Sequence, residues 1–173
     1  MNRARTALHC TLTRIVAPLL TRLHSYAQRK LGRPIEYRGC GVAIALPSDH
    51  MHPVYRKRYR LHDRFLPHLV RFLNSADTVI DVDANVGDTV AAMAGINPAP
   101  NYICIEPGDT FYRHLKTNID RTQKARPDAR IQAIRALVGQ NLAVRKLEGR
   151  HGTKRAIIGQ GNPIILIPLD DLA

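Results

Sequence analysis

Three short aliphatic runs, Thr78–Val82, residues 102–105 and residues 131–134, are separated by two segments of helical character. Apolar runs that do not alternate with polar residues are expected of parallel strands buried on both faces. The segment 88–95 between the first two runs is rich in Ala and is closed by Pro98, Pro100 and Asn101. The segment 110–119 carries Phe111, Leu115 and Ile119 at steps of four, on one face of a helix. Strand, helix, strand, helix, strand in that order predicts an α/β fold with a parallel sheet and right-handed crossovers.

The first strand-to-helix junction reads Val79-Ile80-Asp81-Val82-Asp83-Ala84-Asn85-Val86-Gly87-Asp88-Thr89. At such a junction the strand end, a tight turn and the N-terminus of a helix converge on a ligand. The helix supplies unpaired N–H groups and a partial positive charge. Small residues let the backbone approach a cofactor. Asp88 and Thr89 are placed to cap the helix. Glu106 follows the second run, 19 positions past Gly87, near the ~20-residue spacing at which an acid reaches ribose hydroxyls in nucleotide-binding βαβ units.

With these residues in hand, the chain resembles the FkbM family of S-adenosylmethionine-dependent methyltransferases. The resemblance runs from about Asp77 to Leu172. It includes the loop Ala84-Asn85-Val86-Gly87-Asp88-Thr89, then Ile105-Glu106-Pro107 with Phe111, Leu115, Lys116 and Asn118. It continues through Ala136-Leu137-Val138-Gly139 to Leu169-Asp170-Asp171-Leu172. It implies a Rossmann-like class I methyltransferase sheet, S-adenosyl-L-methionine as cofactor, and O-methylation of a hydroxyl on a sugar, lipid or natural product. Carried over residue by residue, it makes Asp81, Ala84, Asn85 and Gly87 the cofactor loop, with Asp83 lying inside that loop and Asp88 and Thr89 opening the helix. Glu106 becomes the ribose ligand and Ala136 the neighbour of the adenine. Lys116 and Asn118 are assigned structural or surface roles.

The chain departs from the family pattern twice. Asp83 stands where the family has Gly, bringing a side chain and a charge beside the methionine part of the cofactor. The second departure is an expected C-terminal truncation: about three core parallel strands plus edge strands, in place of a sheet of six or seven.

Elsewhere the pattern is less regular. Leu8, Leu12, Ile15, Val16, Leu19, Leu20 and Leu23 fall at helical steps, and Gly32 and Pro34 end that helix. Val42–Leu46 reads as a strand. Residues 54–73 read as a helix in which Pro67 interrupts or begins a piece, with Tyr55, Tyr59, Phe65, Leu69 and Phe72 as core contacts. Residues 142–147 and 164–167 read as strands joined by a Gly-rich basic stretch, and Asp170-Asp171 as a turn. The expected organisation is a basic N-terminal helical extension over 1–76 and a methyltransferase-type domain over 77–173.

Charge is distributed unevenly. Lys and Arg number 26 against 14 Asp and Glu, a net +12. Residues 1–64 hold thirteen bases and three acids, a balance of +10. This asymmetry points to anionic surfaces, and it carries a second functional reading: a non-catalytic binding module whose basic N-terminus contacts nucleic acid or an anionic membrane. Low aromatic content, 5% with no Trp, and the lack of a nucleic-acid motif count against base readout. Cys10, Cys40 and Cys104 are odd in number and scattered, which argues against a disulfide framework and a zinc site. No segment approaches the ~20 apolar residues that span a bilayer, so a cytoplasmic location with peripheral membrane contact is expected. His62 and His68 are the nearest bases for an acceptor hydroxyl, yet each reads better as a structural or surface residue. No catalytic residue and no metal ligand is assigned.

Overall fold

The computed structural model describes residues 34–48, 50–58, 65–139, 144–148, 155–158 and 164–172. The basic N-terminal helix expected from Leu8 to Leu23, Tyr59 and His62 lie outside them. The chain divides into two compact units, and the one described here comprises Glu36–Leu46 and the residues from His50 onward.

At its centre is a three-stranded parallel sheet of β3 (Thr78–Val82), β4 (Asn101–Ile105) and β5 (Arg130–Ile134), in that spatial order. Helix α3 (Asp88–Ile96) links the first pair and α4 (Asp109–Ala125) the second. This is α/β architecture, compatible with part of a Rossmann-like sheet. Ile80 aligns with Ile103, and Ile103 with Gln132. The two sheet faces differ. Val79, Tyr102, Cys104, Ile131 and Ala133 pack into a cluster with Val90, Met93 and Ala94 of α3 and Leu115 and Ile119 of α4. The other face carries Ile80, Ile103, Ile105 and Ile134 against Leu172, Val138 and Ile167.

A hairpin of β1 (Ile35–Gly39) and β2 (Val42–Leu46) forms a further layer outside the helices. Cys40 and Gly41 connect the strands with φ of 49° and 80°, the paired positive angles of a type I′ turn. Val42, Ile44 and Leu46 pack with Val86, Ala91 and Phe111. Strand β1 escapes sequence reading because Cys-Gly is a weak turn signal. Asn118 on α4 locks the hairpin down: its amide accepts from Ala45 N at 2.7 Å and donates to Ala45 O at 2.9 Å and Val86 O at 2.7 Å. Its expected structural role is therefore what the fold displays, whereas Lys116 is exposed.

The helical reading of 54–73 resolves into pieces. Helix α1 spans His52–Arg58, α2 spans Leu66–Leu69, and a 3₁₀ turn covers Val70–Phe72. Pro67 sits in the first turn of α2, where a missing N–H costs nothing, and so begins a helical piece, one of the two outcomes expected of it. Pro67 and Val70 face inward, while Tyr55, Phe65, Leu69 and Phe72 are exposed and are not core contacts. Asn97, just past α3, donates to Val70 O and Leu73 O and fixes this turn at the amino-terminal end of the sheet. Tyr102 donates to Asn97 O at 2.5 Å, and burial pushes its hydroxyl pKa up to about 12.

The C-terminal strands are shorter and more numerous than expected. Strand β6 (Leu137–Val138) pairs in parallel with β9 (Leu166–Ile167). Strand β7 (Val144–Glu148) pairs antiparallel with β8 (Arg155–Ile158), which falls inside the stretch read as a linker. Asp170 and Asp171 lie in a 3₁₀ turn, Leu169–Leu172. Among the described residues no helix is long and apolar enough to cross a membrane.

Candidate functional site

The loop from Asp83 to Gly87 leaves the carboxyl end of β3 and enters α3. Its backbone is unusual: Asp83, Asn85 and Gly87 have φ of 62°, 51° and 80°. Asp and Asn tolerate the left-handed region better than other side chains, so Asp83 stands there without glycine. Gly87 cannot be replaced in the same way. A Cβ on it would meet Leu115 Cδ1 at 2.8 Å. Its small size serves the packing of α3 on α4.

Two backbone–backbone hydrogen bonds and the side chain of Glu106 shape the loop. Ala84 N donates to Ile105 O at 3.0 Å and Gly87 N to Ala84 O at 2.8 Å. Asn85 N donates to Glu106 Oε2 at 2.9 Å, and Gly108 N to Glu106 Oε1 at 2.7 Å. Glu106 is only 1% exposed, and these charge-assisted bonds offset much of the cost of burying its carboxylate.

Asp83, Glu106 and Ala136 line one cavity of about 190 Å³, together with Val82, Ile105, Pro107, Phe111 and Val138. It opens at the carboxyl ends of the parallel strands, where open α/β sheets bind ligands. Two acids on an apolar wall favour a ligand that is flat on one side and cationic or hydroxyl-bearing on the other. The remaining expected residues sit elsewhere. Asp81 aligns with Cys104 in register and shares its helix-covered face. Ala84 is packed in the core with Val90 and Leu115. Asn85, Gly87, Asp88 and Thr89 build the loop and helix start but do not line this cavity.

The expected capping by Asp88 and Thr89 is corrected. Gly87 holds the cap position and no side chain caps α3. Asp88 instead turns to His52, with Oδ2 at 2.5 Å from Nδ1 and both side chains largely buried. Burial raises the Asp88 pKa, but the hydrogen bond and charge of His52 outweigh it and hold the carboxyl below its usual range. His50 extends the network. Its Nδ1 accepts from His52 N at 3.2 Å, so the neutral ring carries its proton on Nε2 and donates to Asn85 Oδ1 at 3.0 Å.

His50 and His52 were not singled out by the sequence. The only local sign was His at both 50 and 52, two residues apart and just before a helix. His68, read as a structural or surface residue, is exposed on α2. An aspartate-oriented imidazole has the form of a general base. Yet His52 borders a separate cavity of about 30 Å³ with Tyr37, Cys40 and Ile44, which shares no residue with the one beside Glu106. The pair therefore supports the loop from behind. Among the described residues no group of three or more His, Cys, Asp or Glu is placed to hold a metal ion. Neither a protein-family model nor a curated protein sequence matches this chain.

Proposed function

We propose that the chain binds S-adenosyl-L-methionine as the cofactor-binding part of a class I, FkbM-like methyltransferase acting on a hydroxyl of a sugar, lipid or natural product. The observation that carries the reading is the convergence of Asp83, Glu106 and Ala136 on one cavity at the carboxyl end of β3 and β4. Glu106, held by two backbone donors, lines the cavity as an acid of the kind that binds ribose hydroxyls. Ile105, Ala136 and Val138 offer an apolar wall for a purine. Asp83 faces the same space and suits the ammonium and sulfonium groups better than the carboxylate of the methionine part.

The residues fit the group in kind, although the cavity is smaller than the ~300–1,000 Å³ common for ligand pockets. When bound, the cofactor supplies an electrophilic methyl group. The chain's own part is to hold the nucleoside and to keep the loop in its left-handed conformation through His50 and Asp88. Isothermal titration calorimetry of the full chain with S-adenosylmethionine tests the reading. Saturable binding that weakens strongly in Glu106→Gln is expected. No heat with either the native chain or Asp83→Gly would remove the cofactor claim.

A further inference from the structure

Phe65, Leu69 and Phe72 follow one another at steps of four and three through α2 and the 3₁₀ turn. Their exposures are 58%, 55% and 85%. That spacing puts them on one side of a helical segment, opposite the inward Pro67 and Val70. Single exposed apolar residues are ordinary on protein surfaces. Three large ones on one side form a patch that needs an occupant.

The composition of the segment that carries the patch indicates which. Residues 54–72 carry Arg56, Lys57, Arg58, Arg60, Arg64 and Arg71 against a single acid, Asp63. An apolar wedge in a strongly basic stretch is the composition that lies in the interface of an anionic bilayer. The aliphatic Leu69 at the centre of the patch suits acyl chains and offers nothing to a nucleic-acid base.

We infer that the face bearing Phe65, Leu69 and Phe72 docks on an anionic lipid surface. Position adds meaning. Asn97 ties the 3₁₀ turn to the amino-terminal end of the sheet, whereas the Glu106 cavity opens at the carboxyl end. A chain docked in this way presents the cavity to the aqueous side. Lipid docking stands independently of the cofactor reading.

The chain contains no Trp, so full-length Phe72→Trp gives a single fluorescent reporter on the patch. Its emission is expected to shift to the blue with vesicles of phosphatidylcholine and phosphatidylserine, and not with phosphatidylcholine alone. The full-length triple variant Phe65→Ser/Leu69→Ser/Phe72→Ser, and to a lesser degree Phe72→Ser alone, should co-sediment with the mixed vesicles at least about tenfold more weakly. Circular dichroism checks that the variants keep the native fold. Equal sedimentation of native chain and triple variant would overturn the inference, because the basic N-terminus would then carry the binding. A blue shift that grows with protein concentration without vesicles would overturn it in favour of a second copy. A shift with a single-stranded oligonucleotide, but not with vesicles, would overturn it in favour of nucleic acid.

Discussion

His52 Nδ1 and Asp88 Oδ2 stand 2.5 Å apart with both side chains largely buried, and the pair joins the start of α1 to the first turn of α3. The folded Asp88 pKa lies below its ordinary value of 3.8. A depressed folded pKa contributes stability that is present above the unfolded pKa and is lost as pH falls through the folded one. Asp88→Asn is therefore expected to cost about 2 kcal/mol at neutral pH. The gap between native chain and variant should close as pH drops below about 4. Urea unfolding followed across pH measures it. A gap independent of pH would show that the charge of Asp88 contributes nothing.

Gly95 tests the seat of the hairpin on α3. Within a helix Ala is normally better than Gly by about 1 kcal/mol. Here a Cβ would fall within contact distance of the Cys40 carbonyl oxygen and 3.0 Å from Cys40 Cβ. The clash involves backbone and cannot be relieved by turning a side chain. Gly95→Ala is expected to destabilise by about 2 kcal/mol despite the propensity gain, as read by thermal unfolding.

Asn118→Ala removes three hydrogen bonds at once and leaves Ala45 N, Ala45 O and Val86 O without their amide partner. Each orphaned buried group costs about 1–3 kcal/mol. A loss of about 3 kcal/mol or more is expected. Hydrogen exchange at Ala45 should accelerate more than at β4 amides. Uniform acceleration would mean that Asn118 supports the fold as a whole rather than the hairpin in particular.

Asp83 offers a charge test of the proposed cofactor. S-adenosylmethionine carries a sulfonium that S-adenosylhomocysteine lacks. Asp83→Asn should weaken binding of the first by about two- to fivefold, the range of an exposed charge pair. Binding of the second should change less. Calorimetry with both ligands reads the difference, and an equal effect on both would assign Asp83 to steric rather than electrostatic work.

The thiols should separate by reactivity. Burial, with the charge of Asp81 adding to it, pushes the Cys104 thiol far above its usual pKa, while Cys40 is exposed on the hairpin turn. In a Cys10→Ser background, one thiol should react promptly with a disulfide reagent and the other only on unfolding. Two prompt thiols would contradict the packing of β4.

Legibility in the sequence followed the range of the forces involved. β3, β4 and β5 could be read because a continuous aliphatic run is a local signal of a buried strand, and their bounds differ from expectation by one residue at most. The loop and Glu106 were legible because they recur at a fixed distance along the chain. What failed depended on phase or on distant partners. Phe65, Leu69 and Phe72 were read as core contacts from their helical spacing, but the side that faces inward is that of Pro67 and Val70. His50 reaches Asn85, 35 residues away, and nothing near His50 announces that contact. Asp88 was read as a cap because capping is local, whereas its partner His52 lies on another element.

The bracket that Asn118 forms with Ala45 spans 73 positions. Seen as folding kinetics, it closes one of the longest loops in this unit, while β3, α3 and β4 are neighbours in sequence and can form early. Contacts of long separation are entropically expensive to bring together and reward the chain only late. The outer hairpin should therefore dock after the sheet and its two helices are in place. Substitutions at Ala45 or Asn118 should chiefly accelerate unfolding and leave the refolding rate nearly unchanged.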